Sequence, residues 1–199
     1  MKPALVSLSR LEFSKFNVEI NPDYNNKKNP DNLFPQLDFD FNNVKFELGA
    51  DLSYHEEEVN DPRHFTLMLR VSIQQKSQDD EIVIPYSVLI EGFAYLFFKG
   101  KESVSDRFKF IRGTGYMMLY GAFRETIANF TGRSAYGVWF LPSLNFNSRV
   151  DDDVPNDIKN WERLMGSASQ KTVEISEDVL TSAEKKLGVN GRKNRIAKH

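Results

Sequence analysis

Few side chains in this sequence could carry covalent chemistry, and their spacing argues against it. His55, His64 and His199 are the three histidines of 199 residues, and they lack metal-ligand spacing with one another. The run His55-Glu56-Glu57-Glu58 reads as a solvated hairpin tip. Asp151, Asp152 and Asp153 could attract a divalent cation, but they lack the spacing of an EF-hand loop and read as a linker before a helix. Gly113 and Gly115 precede an apolar helix whose first N–H groups could receive a phosphate, yet no Walker lysine pattern accompanies them. Arg124 and Glu125 are adjacent, so on a helix they point about 100° apart and suit structural ion pairing better than acid–base work. The absence of Cys removes thiol nucleophiles, disulfides and thiolate metal sites. The chain is read as a non-enzyme that needs no cofactor and no metal.

What it has in quantity is aromatic surface: sixteen Phe and two Trp. The chemistry open to such residues is apolar association with many partners. Trp139, Phe140 and Leu141 stand in a row, and in an extended segment three neighbours cannot all face one side, so at least one must reach a surface. Phe34, between a polar loop and Pro35, is poised between plug and contact.

The elements that must position these rings follow from periodicity. Leu11, Phe13, Phe16, Val18 and Ile20 alternate with one slip near Ser14, which predicts a bulged strand. A polar, proline-punctuated loop follows. Alternation resumes at Leu37, Phe39 and Phe41, slips at Asn42-Asn43 and continues from Val44 to Leu52, read as one strand. Phe65–Ile73 alternates cleanly, and a fourth strand is expected over Glu81–Leu96 with a bulge or edge at Pro85. From Arg112 a glycine-opened helix carries Tyr116, Leu119, Tyr120, Phe123, Ile127 and Phe130 on one stripe, with Gly132 as a left-handed cap. Ile158, Trp161, Leu164 and Met165 mark a second helix with Pro155 near its start. A short helix over Glu177–Leu187 and a basic tail end the sequence. Four strands followed by helices predict an α+β fold: a four-stranded antiparallel sheet with a long helix packed on one face and a second helix beyond.

With 26 basic and 28 acidic residues the net charge is −2, so no overall field draws the chain to nucleic acid or to anionic lipid. The longest apolar run, Phe93–Phe98, is far shorter than the roughly 20 residues a bilayer span needs. No secretion signal is recognisable at Met1–Phe13, and a soluble, cytoplasmic protein with no membrane or nucleic-acid partner is expected.

The order Phe123–Arg133, then a short aromatic stretch, then Leu141–Phe146 resembles the end of the conserved domain of SecB-type export chaperones. Arg124 and Glu125 fill the places of an ARE-type triplet, and Pro142, Asn145 and Phe146 those of the family's proline-to-Phe ending. The resemblance covers about residues 10–146. It implies a division into a SecB-like sheet and first helix (1–149), a linker and lid-like helix (150–166) and a C-terminal extension (167–199). It also implies an ATP-independent holdase, assembled as a homotetramer (a dimer of dimers) through Tyr116, Leu119, Tyr120, Phe123 and Ile127. Phe34, Trp139, Phe140, Leu141, Leu144, Trp161 and Leu164 would then line the client groove. The family's acidic motor-docking positions fall on Lys15, Glu19, Pro85 and Ser87, a reversed charge and a lost carboxylate that argue against docking to the Sec motor ATPase. An aggregation-prone antitoxin is therefore the expected client. General export of preproteins to the Sec translocase is the alternative, and an oligomeric scaffold on the same fold is the alternative of a different class.

Overall fold

The clean alternation of β4 (His64–Gln75) buries Phe65, Leu67, Leu69, Val71 and Ile73 on one side and makes this strand the spine of the sheet. It is flanked by β5 (Tyr86–Phe98) and β3 (Val44–Tyr54), and β1 (Val6–Ile20) pairs with the far side of β5. Every pairing is antiparallel, in the order β1-β5-β4-β3. The coordinates are a computed structural model that describes residues 4–24, 36–37, 39, 41, 44–76 and 83–166. The chain divides into two units, Met1–Ile158 and Lys159–His199. The sheet and α1 (Val104–Thr131) belong to the first, and α2 (147–166) runs from the first into the second. Among the described residues the fold is thus α+β, a four-stranded antiparallel main sheet with two helices.

α1 crosses one face of the sheet obliquely. Phe108 packs on Phe65 and Tyr54, Phe123 lies 5.7 Å from Phe13, and Phe130 lies 5.5 Å from Phe16 on the edge strand. Because β1 partners β5 residue by residue, Leu8, Phe13, Phe16 and Ile20 fall on the helix side, yet at the edge they stay exposed. The bulge expected near Ser14 is present, and a second lies near Ser9. Bulges twist an edge and blunt it as a pairing template. β3, the other edge, pairs with β4 over its whole length without a register shift.

Several expectations are corrected. The helix does not open at the glycines: it starts at Val104, where Ser103 caps it by accepting the N–H of Asp106 at 3.2 Å. Gly113 and Gly115 are therefore interior, which removes the phosphate reading. Gly132 has right-handed φ of −60°, and the left-handed residue is Gly137 at φ 88°. The strand expected from Leu37 to Leu52 is two. β2 (Gln36–Leu37) leaves the main sheet and pairs in parallel with β6 (Val138–Trp139). Pro85 stands just before β5, its carbonyl accepting the Asn21 N–H at 3.0 Å. Asp151–Asp153 are not linker but helix, and Pro155 stands inside that helix rather than near its start. The helix expected at 177–187 and the basic tail lie outside the described residues.

The hairpin tip is more than solvated charge. Glu58, in the 3-10 turn Glu56–Glu58, accepts the N–H groups of Arg63 and His64 at 3.0 Å each, and its other oxygen meets the His64 ring at 2.6 Å. Burial pushes this carboxyl up, but the hydrogen bonds outweigh it and bring it down to about 2.

Candidate functional site

The described rings gather at the end of the sheet where β3 and β5 begin. Phe39 stacks on Trp139 with centroids 5.1 Å apart and planes 24° apart, and it meets Phe41 at 4.8 Å and Phe46 at 6.3 Å. Phe41 also contacts Phe46, and Tyr86 lies 5.9 Å below Trp139. Phe41 is 49% exposed and Phe140 44%, while Trp139 is 1% exposed. The result is an apolar site with Trp139 as a sealed floor and the open Phe41 ring at its rim.

Local hydrogen bonds hold the floor. Thr131 Oγ1 accepts the Trp139 N–H at 2.9 Å, and the Tyr86 hydroxyl donates to Gly137 and accepts from Tyr136 N–H. Burial pushes the Tyr86 hydroxyl above its ordinary value, so it stays a neutral donor. Gly137, at φ 88°, lets the chain turn out of the helix and into β6. The indole N–H of Trp139 is buried with no acceptor among the described residues. Such a donor is unfavourable when unpaired and gains from any carbonyl brought to it.

Of the residues expected at this site, Trp139 has ring contacts within the cluster. Extended backbone from Val138 to Leu141 alternates as it must: Trp139 and Leu141 turn inward and are buried, and Phe140 turns out. Trp139 and Leu141 are therefore corrected from open contacts to floor and core. Leu144 is half-buried, Trp161 is half-buried, Leu164 is exposed, and Phe34 lies outside the described residues. Phe39, Phe41 and Phe46 were missed as site residues. Their signal was the Asn42-Asn43 interruption, which detaches two rings from the strand that follows.

Neither a scan of protein-family models nor a sequence comparison with curated proteins finds a match. Among solved structures there is a likeness. The chain is similar to a SecB-like chaperone of Mycobacterium tuberculosis, solved in complex with an antitoxin peptide. The TM-score is 0.45 and the identity 14%, over 70% of this chain and 88% of that one.

The stripe expected at a subunit interface is corrected by its burial. Tyr116, Leu119, Tyr120, Phe123 and Ile127 are all core residues of their own chain, because α1 turns that stripe onto the sheet and onto residues 141–158. The large apolar residues that α1 leaves exposed are Phe110, Met117 and Phe130, with Met117 64% exposed. Arg124 is half-buried and donates to the Leu141 carbonyl at 2.9 Å. On the far face of the sheet Lys15 stands opposite Glu91, and Glu19 opposite Ser87, so the positions compared with a docking patch carry mixed charge.

Proposed function

We propose that this protein is a holdase that keeps exposed apolar segments of non-native polypeptide from aggregating, with an antitoxin-type client. The observation that carries this reading is the open aromatic site of Phe39, Phe41 and Phe46 over the Trp139 floor, with Phe140 exposed on the next residue. Planar rings gain free energy from many apolar side chains without requiring one sequence. Beside them β3 offers an unbulged edge whose outer backbone groups can pair with an extended segment. The preference for a dedicated client over general export rests on Lys15, Pro85 and Ser87, which replace the acidic character that motor docking uses.

Assembly of copies, in a dimer-of-dimers homotetramer, would cover exposed apolar residues: Leu8, Phe13, Phe16 and Ile20 on β1, and Phe110 and Met117 on α1. No helix among the described residues is long and apolar enough to cross a membrane.

A chemically unfolded client diluted into buffer tests both parts. Near-stoichiometric protein should suppress light scattering, and Phe41→Asp with Phe140→Asp should weaken that protection about tenfold or more, as loss of two anchoring rings does. Met117→Arg should instead lower the mass measured by size-exclusion light scattering. Absence of protection by the unmodified protein would sink the holdase reading in favour of a scaffold.

A further inference from the structure

Arg112, Tyr116, Tyr120 and Arg124 recur at every fourth position of α1, and each sends a polar tip to the same partner, the segment 141–158. Arg124 Nε donates to the Leu141 carbonyl at 2.9 Å, and the Tyr120 hydroxyl to the Pro142 carbonyl at 2.8 Å. The Tyr116 hydroxyl donates to Asp153 at 2.5 Å while accepting from Arg112 Nη1 at 2.7 Å. Arg112 Nε and Nη2 each donate to an Asp157 oxygen at 2.7 Å. Arg149 reaches Asp153 from within α2 at 2.8 Å. Between these ties Phe146 packs on Tyr116 and Tyr120 at 5.3 and 5.5 Å. The segment thus runs back along α1 like a strap, beginning two residues after Trp139.

The strap needs such ties. Residues 141–146 have no regular secondary structure, so α1 side chains take the place of a ladder there. Inside α2, Pro155 has no N–H for the carbonyl of Asp151, and the helix is weakest between the two carboxylates that α1 holds. Lifting the strap would leave the Arg112 guanidinium, 5% exposed, without its partners.

We propose that these four side chains are positioning residues that keep 141–158 fastened along α1 while a client is bound, so that the wall carrying Trp139 and Phe140 is preformed and does not open as a lid up to residue 158. The client half of this statement rests on the holdase reading, and the fastening half does not.

The chain has no Cys, and a Cβ at Gly113 would lie 4.0 Å from Val150 Cγ2, so Gly113→Cys with Val150→Cys gives a single bridgeable pair across the strap. Oxidising that pair should leave client protection as it is in the reduced form. In the Asp157→Asn background, amide exchange over residues 146–158 should speed up about 100-fold, as loss of a buried ionic partner does. Client affinity should fall about tenfold, because the wall loses its preorganisation, and oxidation of the pair should restore both properties. Tyr120→Phe, which deletes one O–H, should act in the same direction to a smaller extent and serves if Asp157→Asn does not fold. Protection abolished by oxidation alone would make the strap a lid and overturn the proposal. So would unchanged strap exchange in the folded variants. A protein that protects no client in any form would remove the holdase reading and the client half with it, while the exchange comparison would still decide the fastening.

Discussion

Arg112→Ala is expected to lower folding stability by about 3–5 kcal/mol, the loss seen when one member of a buried ion pair is removed. Arg112 and Asp157 are both buried and share two 2.7 Å bonds, so the truncated chain would keep the Asp157 and Asp153 carboxylates without the cation between them. Burial pushes the Asp157 carboxyl up even with Arg112 in place, so its charge is already held against a desolvation penalty. In a chain of this size the melting temperature should fall by about 10 °C or more. Arg112→Met combined with Asp157→Leu should recover most of that loss, because apolar residues of similar volume avoid the desolvation altogether. A single variant that melts within a degree or two of the unmodified protein would show the pair to be ornamental.

The same cluster sets an alkaline limit. Burial, with the hydrogen bond to Asp153, pushes the Tyr116 hydroxyl from 10.0 up to about 12. A folded-state value above the unfolded one means that the native chain holds its proton more tightly. The stability linked to Tyr116 is therefore complete below about pH 10 and is lost as pH rises towards 12, on the order of 2–3 kcal/mol in all. Denaturant titrations between pH 9 and 12 should show this slope, and Tyr116→Phe should reduce it by that amount, leaving the part owed to Tyr120 and Tyr86, whose hydroxyls burial also pushes up. A slope that survives the substitution unchanged would assign the transition to other groups.

How much of this was legible in the sequence differs by element. The sheet was readable because period-two alternation in Phe65–Ile73 reflects a strand with one buried face, and the slip at Ser14 marked a real bulge. The start of α1 was not, since Val104–Ile111 has no clear stripe and two glycines beyond it imitate a helix opening. Gly115 is interior because the helix approaches Leu67 and Leu96 of the sheet closely, a tertiary demand that overrides propensity. The site was half legible. Alternation fixes that Trp139, Phe140 and Leu141 diverge, but which of them faces out depends on where β6 pairs, and its partner β2 is two residues long. The tyrosines of α1 were misassigned for a specific reason. A stripe of Tyr looks apolar in a pattern, whereas in the structure Tyr116 and Tyr120 use their rings as core and their hydroxyls as ties.

Two glycines of α1 should respond to substitution with opposite sign. A Cβ at Gly115 would stand 2.4 Å from Leu67 Cδ2 and 2.9 Å from Leu96 Cδ1, both core residues of the central strands. Gly115→Val must push α1 off the sheet or force those leucines from their rotamers, and a loss of about 3 kcal/mol is expected, at the upper end for overpacking. A Cβ at Gly121 would meet nothing within 4 Å. Gly121→Ala should therefore gain about 0.5–1 kcal/mol, because alanine restricts the unfolded chain and suits the helix interior. Thermal unfolding of the two variants side by side checks the crossing geometry directly. If Gly115→Val melts no lower than Gly121→Ala, α1 does not touch the sheet at that turn, and the packing that carries both the strap and the aromatic floor is wrong.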